Sequence, residues 1–362
     1  MQRINLYIYL VIHGDYVTLD LIPYFAPYLY LIVTVGLGKI AGLDNRKLLF
    51  LCLVPAFFIV VLRGDVGTDT ASYMRIIDSF STEFGDSAGI SEVEIGFEYF
   101  SKALLYLGFS SKAVVVAISW FVCALVIYAF SRTKDDVLVF ALLVFPIFFY
   151  DMTMNGLRYG VSFCLAKIAY DSFESSKKKT FAIMTLLSIS FHLSGFVLLV
   201  LLMARRLSVK HLIMGGLCAG ILLLIFFDRL LFKFSAYGEL EAPSGLSGLA
   251  PLLLFAMIYI SMVVLSFRNV VYLTFLFVLE IAFFVLAKFS YAGLRFQFLT
   301  LFALLCTVPR CSVMYSRNRA IFLCLVFFIG ILGFVSKSRN MIDGVDSGES
   351  PFIPYQFYWE RK

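Results

Sequence analysis

Long apolar runs broken by short polar clusters organise this chain from end to end. The runs lie near residues 21–40, 48–62, 111–130, 137–150, 154–171, 211–231, 250–266, 270–288, 292–308 and 320–336. Each is about the length of an α-helix crossing a hydrocarbon layer roughly 30 Å thick. A transmembrane β-barrel would instead show short segments alternating between apolar and polar, and that alternation is missing. The pattern therefore predicts an all-α polytopic membrane protein with about ten full transmembrane helices.

One segment does not fit a single crossing. Residues 181–204, FAIMTLLSISFHLSGFVLLVLLMA, lie between the basic clusters SSKKKT (175–180) and ARRLSVK (204–210). Basic loops collect on the cytoplasmic side, and DNRK (44–47) and RCSVMYSRNR (310–319) complete the set. All four clusters share one side only if 181–204 enters and returns as a re-entrant pair of half-helices tipped by SFHLSG, with His192 facing an outward-open cavity.

The same topology puts residues 63–110 outside as a large periplasmic loop, with 233–250 as a second loop and 337–362 as an external tail. Eight acidic residues against three basic ones in 63–110 agree with that side. Within the loop, Tyr73, Ile76, Ile77, Phe80 and Phe84 recur at helical spacing opposite Arg75, Asp78 and Ser79. This predicts an amphipathic helix on the membrane surface. EIGFEYFSKALLYLG (94–108) predicts a second helix. With no internal repeat and no low-complexity segment, residues 1–362 read as a single integral membrane domain.

Composition supports this class. Apolar residues are 61% of the chain and charged residues 15%, with a mean hydropathy of +0.92; soluble domains run near half apolar and a quarter charged. The net charge of +6 is spread over loops and forms no nucleic-acid face. Seven cysteines without a CxxC pair predict neither a disulfide framework nor a metal site. Residues 4–12 are apolar, but no small-residue cleavage site follows, so no cleavable signal peptide is expected.

Charge within the membrane is costly and so marks candidate chemistry. Lys167 and Lys288 sit near span ends, where their stems can snorkel. Glu280, in the middle of its span, is either a proton relay or a neutral acid bonded to a neighbouring helix. More telling are the groups at outer span ends: Arg63 and Asp69 in RGDVGTDTASY (63–73), Arg158 in NGLRYG, His192, and Arg295 in AGLRFQF. Each has a bland reading as an interfacial arginine, a helix-capping aspartate or a satisfied polar histidine. Arginines gathered at one depth would suit a diphosphate, because guanidinium bonds phosphate oxygens bidentately. Gly64 and Gly67 allow a tight turn beside Arg63, and Thr68 or Asp69 can cap the helix that follows.

An arginine ending the second span, then VGTDT and a tyrosine, then NGLR, SFHLSG, a late arginine opening a span, and PYQFYW in the tail: in this order the chain resembles the EpsG family of Wzy-like polysaccharide repeat-unit polymerases, which includes O-antigen polymerases. The resemblance runs from about Arg63 to Tyr355. It departs at the N-terminus, where some twenty residues precede the first span and such proteins usually begin almost at once.

The resemblance implies a GT-C-like fold with an outward-facing cavity and transfer without a nucleotide sugar. A chain on an undecaprenyl diphosphate carrier would pass to the next lipid-linked repeat unit, on the periplasmic face of the bacterial inner membrane. Carried over by position, the matching residues are Arg63, Gly67, Asp69, Tyr73, Arg158, His192, Arg295 and Tyr355. Transfer from a polyprenyl diphosphate needs the leaving charge stabilised and a hydroxyl proton removed. That assigns Arg158 and Arg295 to diphosphate with Arg63 in support, Tyr73 and Tyr355 to substrate, and His192 to the base, with Asp69 or Glu98 as substitute. No metal or cofactor is expected. The expected partners are the lipid-linked oligosaccharide as donor and acceptor, membrane lipid, and a chain-length regulator. The rival readings are another lipid-linked glycosyltransferase, an O-antigen ligase, and a lipid-linked oligosaccharide flippase or transporter. Against the last, no paired Gly/Pro-broken spans recur in matching halves.

Overall fold

A computed structural model describes residues 11–12, 15–16, 21–82, 93–207, 210, 247–266, 269–342 and 350–360. The expected span 211–231, most of the 233–250 loop and the DSAGIS stretch lie outside the described residues. After a two-residue antiparallel pairing of Val11–Ile12 with Asp15–Tyr16, the described chain is helical. The elements are α1 (Ile22–Ile40), α2 (Asn45–Val61), α3 (Thr70–Thr82), α4 (Ile95–Tyr106), α5 (Ser111–Phe130) and α6 (Lys134–Val139). The π-helical turns Phe140–Phe149 and Asp151–Asn155 come next, then α7 (Leu157–Glu174), α8 (Lys178–Phe191) and α9 (Ser194–Met203). Last are α10 (Leu249–Leu265), α11 (Val270–Leu286), α12 (Tyr291–Thr307) and α13 (Arg319–Ile342).

Among the described residues, three helical stretches are long and apolar enough to cross a membrane, namely Ser111–Phe130, Tyr291–Tyr315 and Arg319–Ile342, and α10 and α11 are shorter apolar helices. Large apolar side chains stand exposed along single helix faces: Phe25, Leu29, Val33 and Leu37 on α1, and Ile321, Leu325, Phe328 and Leu332 on α13. In water such stripes would be unfavourable, whereas against lipid tails they are the ordinary outer surface. Polar residues fix where several helices begin. Asp44 accepts from the Arg46 and Lys47 backbone N–H groups ahead of α2. Ser110 caps α5, and Thr133 and Asp136 form a reciprocal capping box on α6.

The segment expected to span 137–150 is not simply an α-helix. It passes from α6 into π-helical winding, which closes where the Gly156 N–H reaches the Asp151 carbonyl five residues back, at 2.7 Å. Pro146 would break an α-helical ladder at this point. The helix through 178–203 is interrupted at His192 and Leu193, the tip expected from sequence.

Contacts divide the chain into two compact units, residues 1–164, 190–192 and 334–362 forming one, and 165–189 and 193–333 the other. In the first, α5 packs on α2, α3 and α4, while α1 packs on α2 and on the π-helical stretch. Its core is aromatic: Tyr28 stacks on Phe145 at 5.7 Å and Tyr24 meets Tyr150 edge-on at 5.3 Å. The apolar face predicted for α3 is present, but protein covers it. Tyr73, Ile77 and Phe80 are all buried, with α4 and α5 packed against the helix, so it does not present that face to the membrane surface.

In the second unit, α10, α11 and α12 pack on one another and α9 packs on α12. Glu280 is fully buried. It accepts from the Gln297 side-chain amide at 3.0 Å and from the Thr300 hydroxyl on the neighbouring helix. Lys167 does not snorkel. It is completely buried and pairs with Asp171 at 2.9 Å, the carboxylate also held by Arg310. Lys288 donates to the Ser247 carbonyl at 2.9 Å.

Candidate active site

The stretch RGDVGTDT forms a tight turn between α2 and α3, and the C-terminal tail returns to pair with it. The Gly64 N–H donates to the Gln356 carbonyl at 2.8 Å, the Gly67 N–H to Pro351 at 2.9 Å, and the Tyr358 N–H to Leu62 at 3.0 Å. Gly67 has φ +110°, and a Cβ there would lie 2.9 Å from the Thr70 hydroxyl and 3.1 Å from the Met154 carbonyl oxygen. Only glycine satisfies both constraints.

This clamp encloses Arg63. The residue is 1% exposed, where sequence had placed it at the mouth of a cavity. Its Nη1 donates to the Thr153 carbonyl at 2.8 Å, Nη2 is buried without a hydrogen-bond partner, and its electrostatic neighbours are Tyr355, Tyr24, Cys123 and Tyr73. Among the described residues it forms no ion pair, so it acts as a buried positive charge rather than as a surface ligand. Tyr355 is committed too: its hydroxyl donates to the Ile59 carbonyl at 2.7 Å and its ring meets Tyr24 at 5.9 Å.

Arg158, His192 and Tyr73 do converge, around a carboxylate that sequence reasoning had not chosen. Glu94 accepts from Arg158 Nη1 at 2.8 Å through one oxygen, and its other oxygen stands 3.8 Å from His192 Nε2. Tyr73 is an electrostatic neighbour of the Arg158 guanidinium, which also lies over the Phe97 ring at 5.9 Å. Arg158, Glu94 and His192 side chains are each about a quarter exposed, open enough to meet a ligand yet partly shielded from water. Burial holds the Tyr73 phenol above its usual range, with the Arg158 charge pulling the other way. Tyr73 therefore stays neutral and able to donate.

Local sequence explains the convergence. Glu94 stands at the N-cap position of α4 but makes no capping hydrogen bond; its side chain reaches Arg158 instead. Two residues on, Gly96 lets the α4 backbone approach Ser190, where a Cβ would come within 2.8 Å of the Ser190 carbonyl carbon and oxygen. His192 is fixed in turn by Ser162, whose hydroxyl donates to the His192 carbonyl at 2.9 Å. The signal available in sequence was a glutamate directly before a helix, where Ser, Thr, Asp or Asn is the usual capping choice.

Of the remaining candidates, Asp69 lies close enough to Tyr73 for its charge to act on the phenol. Asp69 is exposed, and its carbonyl accepts the Tyr73 N–H at the start of α3. Glu98 is held by Lys102 one turn on, at 2.6 Å. Arg295 belongs to the second unit, exposed in the first turns of α12. Among the described residues no three of His, Cys, Asp and Glu are grouped so that they could hold a metal ion. Along α2 and α5 lie two apolar grooves that share Trp120. One of about 560 Å³ is lined by Val61, Phe109, Lys112 and Tyr358, and one of about 500 Å³ by Phe50, Phe57, Phe58 and Ile127.

The family model that matches this sequence is the EpsG family, over residues 46–357. No curated protein and no solved structure matches significantly.

Proposed function

The chain belongs to the EpsG family, a Wzy-like polymerase family, and from that premise we propose that it polymerises lipid-linked oligosaccharide repeat units on the periplasmic face of a bacterial inner membrane. The donor is a glycan on undecaprenyl diphosphate, and the acceptor is a hydroxyl of the next repeat unit. The oxygen of that hydroxyl attacks the anomeric carbon of the donor. The bond from that carbon to the diphosphate oxygen breaks, and the diphosphate leaves with the electron pair. Arg158 stabilises the leaving charge, helped by the field of buried Arg63; in a partly shielded site such charge complementarity often lowers the barrier by several kcal/mol. His192 takes the hydroxyl proton, a contribution of roughly 10²–10⁴ in rate. Tyr73 orients Arg158, and the groove beside Trp120 suits the prenyl chain.

The observation that carries this reading is the meeting of Arg158 and His192, residues far apart in sequence, on the two oxygens of Glu94 in one partly exposed cluster, with buried Tyr73 near Arg158. The test is the surface polysaccharide of a strain lacking the gene. Collapse of the ladder to a single repeat unit on its anchor supports polymerisation. Loss of that unit as well points to transport, ligation or repeat-unit assembly. Arg158→Ala or His192→Ala should reproduce the collapse with normal protein levels, and a full ladder in both would overturn the site.

A further inference from the structure

Glu94 has no role in the reaction just described, yet it contacts both residues that carry it. Its partners are Arg158 Nη1 at 2.8 Å and His192 Nε2 at 3.8 Å, one per carboxylate oxygen. A carboxylate on a guanidinium has the charge and the oxygen geometry of one edge of a phosphate.

We propose that Glu94 is a stand-in for the donor's diphosphate: it holds Arg158 while the site is empty, yields Arg158 when a diphosphate binds, and then supports His192. This rests on the reading that Arg158 takes the diphosphate. The empty site needs such a placeholder. Without it Arg158, already committed to Tyr73 and Phe97, would face a partly dry pocket with an unpaired charge, and the pocket would attract any free anion. Once displaced, the carboxylate has His192 as its other neighbour. The distance of 3.8 Å is longer than a hydrogen bond and closes with a small side-chain rotation. There the negative charge stabilises the imidazolium formed when His192 accepts the acceptor's hydroxyl proton. Glu94 is thus a positioning residue that couples occupation of the phosphate subsite to the readiness of the base.

Two consequences separate this from a structural role. Removing the Glu94 charge should tighten binding of an anion to Arg158 while slowing turnover, whereas loss of a structural ion pair should weaken both. The test uses the purified full-length protein in detergent with inorganic pyrophosphate as the probe, followed by calorimetry, together with polymerisation of lipid-linked repeat units. Glu94→Gln should bind pyrophosphate about fivefold more tightly, the scale of a partly exposed ion pair that no longer competes. It should also lower KM for the donor and lower kcat by roughly tenfold or more. Glu94→Asp, which keeps the charge on a shorter stem, should fall between wild type and Glu94→Gln in both respects, and it serves if Glu94→Gln fails to fold. Arg158→Ala should weaken pyrophosphate binding. If Arg158→Ala weakens it but Glu94→Gln leaves it equal or weaker than wild type, the stand-in is wrong and the Arg158 reading survives. If Arg158→Ala leaves binding unchanged, the diphosphate reading of Arg158 fails and the stand-in falls with it.

Discussion

Replacing Gly96 by alanine tests the site through one methyl group. Gly96 is in the first turn of α4, two residues after Glu94, and a Cβ there would lie 2.8 Å from the carbonyl carbon and oxygen of Ser190. Ordinary contact begins near 3.4 Å, so the two backbones must part by about 0.6 Å. Alanine improves intrinsic helix propensity by about 1 kcal/mol. The Ser190 hydroxyl is the nearest obstacle and can swing aside, but the Ser190 main chain behind it cannot, and overpacking of this kind costs about 1–3 kcal/mol. The displacement falls between Glu94 and His192, now 3.8 Å apart. Since misplacement of about 1 Å can cost a hundredfold in rate, a shift of this size should cost roughly tenfold in kcat/KM. Polymerisation of a purified lipid-linked repeat unit, with melting in detergent as the control, provides the assay. Ser190→Gly should not rescue Gly96→Ala, because it removes the hydroxyl and leaves the offending backbone. A Gly96→Ala protein with wild-type rate and stability would refute the claim that this close approach builds the site.

Three other substitutions probe separate parts of the structure. Gly67→Ala must take up a left-handed φ of +110°, a strain of about 1–2 kcal/mol, and should lower both melting temperature and surface polymer. A normal melting curve would show that the turn relaxes. Glu280→Gln keeps an oxygen for the Gln297 amide and a polar group for Thr300, and should keep near-normal activity and stability; Glu280→Ala should lose about 1–3 kcal/mol on detergent unfolding. Loss of activity in a stable Glu280→Gln would instead show that the carboxyl carries protons. Glu98→Gln breaks only the pair with Lys102 and should reduce polymerisation far less than Glu94→Gln; equal losses would reinstate Glu98 as a base.

Helix positions were legible because the apolar runs are long, and their ends are marked by polar caps such as Asp44, Ser110 and Thr133. The break at His192 was legible from the charges on either side of the segment. Pairing across distance was not. Nothing in the periodicity of residues 137–150 announces a π-helix, since apolar residues fill every position there. Arg63 was expected to touch substrate because it ends a span; it is enclosed because residues 355–358 fold back over its turn, a contact nearly three hundred residues away in sequence. Glu94 was one acid among eight in its loop, and only the approach allowed by Gly96 singles it out. Glu98, one turn further along, offered the same chemistry on paper, but its carboxylate is taken up by Lys102 while that of Glu94 meets Arg158.

The pairing of the tail with the Arg63–Gly67 turn also has a bearing on biosynthesis. The turn leaves the ribosome early and its partner strand comes from the last residues described. Until residues 351–358 arrive, the groups that cover Arg63 are missing, and the hydrogen bonds from Gly64, Gly67 and Tyr358 cannot form. A chain halted before that point could insert its helices and still leave the Arg63 turn unpaired. Removing residues 351–358 should therefore lower surface polymer while leaving membrane-inserted protein in place, a difference that a gel of surface polysaccharide beside a membrane-fraction blot reads directly.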